Sequence, residues 1–227
     1  MPDVPPALVA RHVAKTYGDL VALEPLDLIV PAGQQLALIG HNGSGKTTLL
    51  RMAAGLLEPS DGEIDICGAP AGSLEARAAL SYLPDSPVLY DDLSVLEHVE
   101  YTCRLHGQQT WEDQAAALVT RLGLAARVED LPSRFSRGLR QKTAIVLALV
   151  RPFDVLLVDE PFVGLDPPGR QAFGELIDEA VAAGATVVIA THQLDYVAGV
   201  ERCVALSDGA VVYDGPPGDV DVGDLVG

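Results

Sequence analysis

The stretch GHNGSGKTT, residues 40–48, follows the apolar run LALIG and opens the helix-forming run KTTLLRMAAG. No other segment restricts the fold as strongly. Glycines at 40, 43 and 45 free the backbone to curl so that its N–H groups point at one place, and a helix starting at Lys46 adds partial positive charge there. The pattern G-x-x-x-x-G-K-[ST] at a strand-to-helix junction reads as a cradle for a chain of phosphates. Gly40, Asn42, Gly43, Ser44 and Gly45 would line it. Lys46 would reach the outer phosphates, Thr47 would hold Mg²⁺, and Thr48 would sit beside it.

The runs around this loop predict the rest of the fold. LVARHVAK and VALEPLDLIV read as strands before it, as do DVLLVDEP, TVVIAT, CVALSD and AVVYDG later in the chain, with a helix from about 168 to 183. Apolar strands alternating with helices imply an α/β protein with a mainly parallel, buried sheet. Between about residues 86 and 150 the pattern turns helical. SVLEHVEYTCRLHG carries a serine at 94 and a glutamate three residues on, the arrangement of a capping box, and WEDQAAALVTRLGL and RGLRQKTAIVLALV follow with helical spacing.

VLLVDEP supplies the other half of a phosphate chemistry. Its aliphatic residues bury a strand whose end presents Asp159 and Glu160 at the carboxyl edge of the sheet, where ligands of such folds sit. Asp159 suits a metal ion and Glu160 suits a water that attacks the terminal phosphate. His192, in THQ, ends the next apolar strand, either as a structural histidine or aimed at the same phosphate.

Charge excludes several functions. A net charge of −17 on 227 residues argues against nucleic-acid binding, which draws on clustered Lys and Arg, and against a general attraction to anionic lipid. Three cysteines without CxxC spacing suggest neither a disulfide framework nor a zinc site. No apolar run reaches the length of a membrane span, and the opening MPDVPPALVA has no cationic leader, so a cytoplasmic location is expected, with any spanning part on another chain. Against this acidic background FSRGLRQK, residues 135–142, concentrates Arg137, Arg140 and Lys142 at the start of an apolar helix.

The ordered set KTYGD, GHNGSGKTT, YLPD, FSRGLRQK, VLLVDEP, GLDP and TH resembles the motif series of ATP-binding cassette (ABC) transporter nucleotide-binding subunits, over about residues 8–215. The resemblance implies a P-loop NTPase fold with an antiparallel β subdomain and an inserted α-helical subdomain. It divides one ATPase domain into a catalytic core (about 1–85 and 151–215), a helical subdomain carrying the signature (about 86–150) and an acidic tail (216–227). FSRGLRQK takes the place of the family signature, usually close to LSGGQ, which caps the phosphate held by a partner subunit. Ser136 and Gly138 match it, while Phe135, Arg137 and Leu139 replace a leucine, a glycine and a glutamine. Arg137 would either add charge near that phosphate or point to solvent.

By the same resemblance Tyr17 would stack on adenine, or else be a surface tyrosine at a strand end. Asp85 stands where the family usually has a glutamine facing the metal and the attacking water, and Asp166 where a residue connects the two sites of a dimer. The implied ligands are ATP and Mg²⁺. The implied partners are a second ATPase subunit, identical or similar, and transmembrane permease subunits that hold the chain at the inner face of the membrane. Leu89, Tyr90, Leu93, Val95 and Leu96 would form a groove for a permease helix or close the helical subdomain's own core, and Trp111 reads as ordinary packing. YLPD and the FSRGL form resemble export-type cassettes more than importers. The alternative is a member of the superfamily acting on ribosomes or DNA, but the interval between Lys46 and Ser136 holds no long coiled coil or zinc insertion, and there is one cassette. Glu160 and His192 together disfavour a cassette that binds without hydrolysing.

Overall fold

A computed structural model describes residues 5–219. In chain order these form β1 (Leu8–Tyr17), β2 (Leu20–Val30), β3 (Gln35–Ile39), α1 (Lys46–Ala53), β4 (Asp61–Ile66), β5 (Ala69–Pro70), α2 (Leu74–Ala79), β6 (Leu80–Leu83), α3 (Val95–Leu105), α4 (Glu112–Arg121), α5 (Arg137–Leu149), β7 (Val155–Asp159), α6 (Pro167–Ala182), β8 (Thr186–Ala190), α7 (Leu194–Val197), β9 (Arg202–Ser207) and β10 (Ala210–Gly215). The acidic tail expected from residue 216 begins with a short 3₁₀ turn at Pro217–Asp219, and its remainder lies outside the described residues. Packing divides these residues into two units, one of 5–82, 153–160 and 180–219, the other of 83–152 and 161–179.

The first unit contains the α/β sheet that the apolar runs predict. Its strand order is β10-β9-β3-β8-β7-β6, and β9, β3, β8 and β7 pair in parallel. Every residue of β7 and β8 is buried, so their aliphatic side chains face packed layers on both sides and show no alternation with polar residues. The antiparallel sheet, order β2-β1-β4-β5, behaves differently: Leu26, Leu28 and Val30 of β2 point inward while Asp27 and Ile29 point out. One core joins the two sheets. Leu36, Leu38, Leu49, Leu50, Met52, Leu157 and Val188 pack with Leu8, Val13, Leu23 and Ile64, each fully buried Leu, Ile or Met contributing about 1.5–3 kcal/mol.

The sequence pattern marks neither α2 nor β6. No turn residue separates them, because Leu80 serves at once as the C-cap of α2, with extended backbone, and as the first residue of β6. A four-residue strand attached directly to a six-residue helix has too short a period to register as either.

The second unit is helical. Ser94 accepts from Glu97 N at 3.3 Å and donates its own backbone N–H to Glu97 Oε2 at 2.7 Å, which completes the expected capping box on α3. Ser136 Oγ caps α5 through Leu139 N, and the buried face of α5 is Ala144, Ile145, Val146, Ala148 and Leu149. Of the five residues read from sequence as groove or core, Leu89 and Val95 are buried and Leu93 is half-buried, whereas Tyr90 and Leu96 are exposed, as is Val88 almost fully. Among the described residues no helix is long and apolar enough to cross a membrane.

Several carboxylates of this unit sit below their ordinary range: Glu97 through hydrogen bonds from Ser94, Asp166 beside the Lys142 ammonium, and Glu179 beside Arg121. As pH falls, the unfolded chain takes up protons at these groups first, so their stabilisation is complete above the ordinary carboxylate range and is lost as pH drops through the lower folded values. The unfolding temperature is therefore expected to fall below about pH 4.5. Glu97→Gln should flatten that decline in circular-dichroism melts, and an unchanged profile would remove the Ser94–Glu97 cap as a cause.

Candidate functional site

The loop from Gly40 to Gly45 leaves β3 and enters α1 in the first unit. Its backbone is glycine-dependent at both ends. A Cβ on Gly40, at φ 148°, would fall 2.2 Å from Leu206 O and 2.5 Å from Ser44 Oγ; one on Gly45, at φ 106°, would fall 2.9 Å from Ala22 O. Gly43, at φ 89°, has nothing within 4 Å of such a Cβ. Gly45 is also the N-cap of α1 and offers no side chain to the first turn, whose N–H groups are thereby left for an external anion. Lys46, 6% exposed, donates to Gly40 O at 2.7 Å and to His41 O at 3.1 Å, which ties its ammonium to the loop it serves. Burial pushes that ammonium below its ordinary pKa, against the opposing pull of Glu160 and Asp159. Asn42 and Thr47 are exposed, Thr48 is half-buried, and Ser44 Oγ is buried without a hydrogen-bond partner.

β7 delivers the two carboxylates. Asp159 is buried at the strand's last position, in register with Ala190. Glu160 then takes φ 45°, a left-handed conformation that costs a non-glycine residue about 1–2 kcal/mol, and is held there by its N–H on Ala190 O at 2.9 Å. The turn directs its side chain so that Oε1 lies 4.0 Å from Lys46 Nζ and Oε2 lies 2.9 Å from His192 Nδ1. Oε2 is nonetheless buried without a hydrogen-bond partner, so it retains its accepting capacity. His192 itself is half exposed, next to Thr191, whose N–H bonds Leu38 O on β3.

The buried Asp159 and the half-buried Glu160 face one ammonium here, an excess of negative charge that suits a cation preferring oxygen ligands. Thr47 and Asp159 are oxygen donors of the kind Mg²⁺ takes. Among the described residues no group of three or more His, Cys, Asp or Glu could form a metal cage. Mg²⁺ does not need one, since it commonly takes one or two protein groups with the remainder from phosphate and water. Tyr17, at the end of β1, is 49% exposed, and Lys15 Nζ lies 5.2 Å from its ring centroid, so one face of the ring carries a cation.

The remaining sequence-derived residues belong to the second unit. Ser136 Oγ accepts from Leu139 N at 3.3 Å, and a Cβ on Gly138 would lie 2.5 Å from Gly164 O, so the start of α5 abuts the turn before α6. A small cavity there is lined by Ser136, Gly138, Leu139, Lys142, Gly164 and Asp166. Arg137 does not simply point to solvent: its Nη2 reaches Asp85 Oδ1 at 3.4 Å. Asp85 also accepts from Ser86 Oγ at 3.3 Å.

Comparison with known proteins decides the family. A family model described as ABC transporter matches residues 23–163, more than half of the chain. This chain belongs to the ABC transporter family. It is an ATP-binding subunit with the family's ATPase domain. The cassette is 36% identical over 188 residues to the cytochrome c biogenesis ATP-binding export protein CcmA of Xanthomonas campestris pv. campestris (strain 8004), covering 83% of this chain and 87% of the relative. Its fold superimposes on a solved ATP-binding subunit of an ABC transporter with a TM-score of 0.89 and 32% identity, over 94% of this chain and 91% of that one. A dimeric cassette in a post-hydrolysis state, bound to ADP and Pi, matches with a TM-score of 0.84 and 26% identity, over 92% of this chain and 98% of that one.

Several residues of the cassette's first unit escape a motif reading. His41 Nε2 lies 3.5 Å from Asp208 Oδ1, and the neighbouring Gly209 N–H donates to Ser44 O at 3.1 Å while Gly209 O accepts from Glu24 N at 2.9 Å. The β9–β10 turn thus buttresses the phosphate loop. Its only sequence signal is the Asp-Gly pair at 208–209, which predicts a hairpin turn but not what the turn touches.

Proposed function

We propose that two such cassettes, this chain with a copy of itself or a similar subunit, close on ATP and Mg²⁺, and that hydrolysis drives export through separate membrane-spanning subunits. The placement of Glu160 carries the hydrolytic reading: a carboxylate turned out of its strand by a strained backbone, between the Lys46 ammonium and His192. Loop N–H groups from Gly40 to Lys46 would bind the phosphates, and Lys46 would neutralise charge that grows on the outermost of them. Glu160 would orient a water molecule and accept its proton at Oε2 as the water oxygen bonds to the terminal phosphorus and ADP departs. His192, beside that oxygen, would hold the carboxylate in place. Thr47 and Asp159 would hold Mg²⁺, which when bound offsets phosphate charge. Tyr17 would stack its open face on the adenine, and Asp85, at the place of the family's glutamine, would face the metal.

Ser136 and Gly138 would act on the nucleotide of the neighbouring subunit, where a hydroxyl and the N–H groups of a helix start make an anion-binding end. The dimeric cassette among the structural relatives supports this assembly. The exposed Val88, Tyr90 and Leu96 would receive the permease, and the cassette would then lie on the inner face of the membrane. Export is supported by the name of the CcmA relative. With each site shared, the specific ATPase activity of the purified chain is expected to rise with protein concentration, and Ser136→Ala to lower it by roughly ten- to a hundredfold. A constant specific activity from a chain that light scattering shows to be a monomer throughout would overturn the shared site.

A further inference from the structure

The three cations of the signature segment are each held by an aspartate of the same unit. Arg137 meets Asp85 at 3.4 Å, Arg140 meets Asp91 at 3.7 Å, and Lys142 meets Asp166 at 2.8 Å. Arg137 and Arg140 are three positions apart on α5 and share a face, so both reach the stretch 85–91 that follows β6. Lys142 leaves from another side, toward the turn before α6. The Arg137 stem also lies against Gly164, where a Cβ would stand 3.3 Å from its Cγ and 3.4 Å from its Cδ.

A helix start is the wrong end for cations, because its macrodipole already places positive charge there. Arg137 is the first residue of α5 and Arg140 lies in its first turn, with no acidic residue in that turn to offset them. The compensating charge comes instead from Asp85 and Asp91, across the fold. We propose that Arg137 and Arg140 are positioning residues: they clasp the 85–91 stretch to the start of α5, and Ser136 and Gly138 keep their orientation toward a neighbour's phosphate only while the clasp is closed. The glycine and glutamine usual in the family at positions 137 and 85 cannot form such a pair, so the clasp belongs to this chain and not to the motif. Both partners of the Arg137–Asp85 pair are well exposed, at 61% and 43%, so each tie is weak singly and is screened by salt.

The inference rests on the shared-site reading, and charge reversal tests it separately. In the purified full-length chain, Asp85→Arg and Arg137→Asp are each expected to raise the protein concentration needed for half-maximal ATPase activity by roughly two- to fivefold. The double reversal should return it to within about twofold of the parent. ATP affinity of the Arg137→Asp, Arg140→Asp and Asp91→Arg variants and their unfolding temperatures should stay at the parent values, which a merely structural role would not allow. The Asp91→Arg and Arg140→Asp cycle should behave alike, and it avoids any part Asp85 takes with a metal. Single reversals without effect, or a double reversal that compounds the two losses, would overturn the clasp. Ser136→Ala in the same assay distinguishes the two ideas: if it too is without effect, the shared site itself has failed, whereas impairment by Ser136→Ala alone sinks only the clasp.

Discussion

Glu160→Gln is expected to slow ATP turnover by roughly a hundred- to ten-thousandfold while leaving ATP binding within a few-fold of the parent. The substitution keeps the shape of the side chain, and the left-handed backbone at φ 45° is set by the Glu160 N–H on Ala190 O, which glutamine retains. What disappears is the carboxylate: the charge opposite Lys46 Nζ at 4.0 Å and the proton acceptor at Oε2. In the proposed site the phosphate loop would bind through backbone N–H groups and Lys46, none of which the change removes. Nucleotide titration and single-turnover hydrolysis of the same preparation separate the two effects. A variant still turning over within about tenfold of the parent would remove Glu160 as the base.

Gly40→Ala is expected to have the largest effect on the loop itself. An alanine Cβ would stand 2.2 Å from Leu206 O and 2.5 Å from Ser44 Oγ, and φ 148° is a conformation that L-residues rarely adopt. Leu206 cannot retreat freely, because β9 pairs with β3 from Arg202 to Ala205 and Leu206 itself pairs with Val211 of β10. The loop must therefore move off the sheet edge, at a cost of about 2–5 kcal/mol. It would carry with it the Gly40 and His41 carbonyls that seat Lys46. Loss of ATP binding should accompany the loss of stability. Gly43→Ala is the control: it also has positive φ but no neighbour within 4 Å, so only the backbone term of about 1–2 kcal/mol applies. Urea unfolding with calorimetric ATP titration checks both, and a Gly40→Ala chain as stable as the parent would contradict the close approach of loop and strand.

These predictions draw on features of different legibility. The phosphate loop could be read directly, since glycine spacing, lysine and the strand-to-helix context lie within a dozen residues. The capping box at Ser94 and Glu97 could be read for the same reason. The aliphatic runs of β3, β7, β8 and β9 identify a buried parallel sheet because a strand covered on both faces has no polar alternation to confuse the pattern. β6 escaped because Leu80 ends one element and begins the next. The choice between a permease groove and a core for residues 89–96 stayed open in the sequence, since an apolar residue reads alike whether it faces the core, as Leu89 and Val95 do, or solvent, as Tyr90 and Leu96 do.

The amino-acid order alone determined the family, the nucleotide class and the strand-helix alternation, because each depends on backbone preferences and hydrogen bonds among near neighbours in the chain. Only the tertiary structure decided the partners of charges: Arg137 with Asp85, 52 positions away, Lys142 with Asp166, and His41 with Asp208. It also decided the left-handed turn at Glu160, which no local residue preference favours. A charge acts over several ångströms on whatever the fold brings near, and which groups come near is settled by how the whole chain packs.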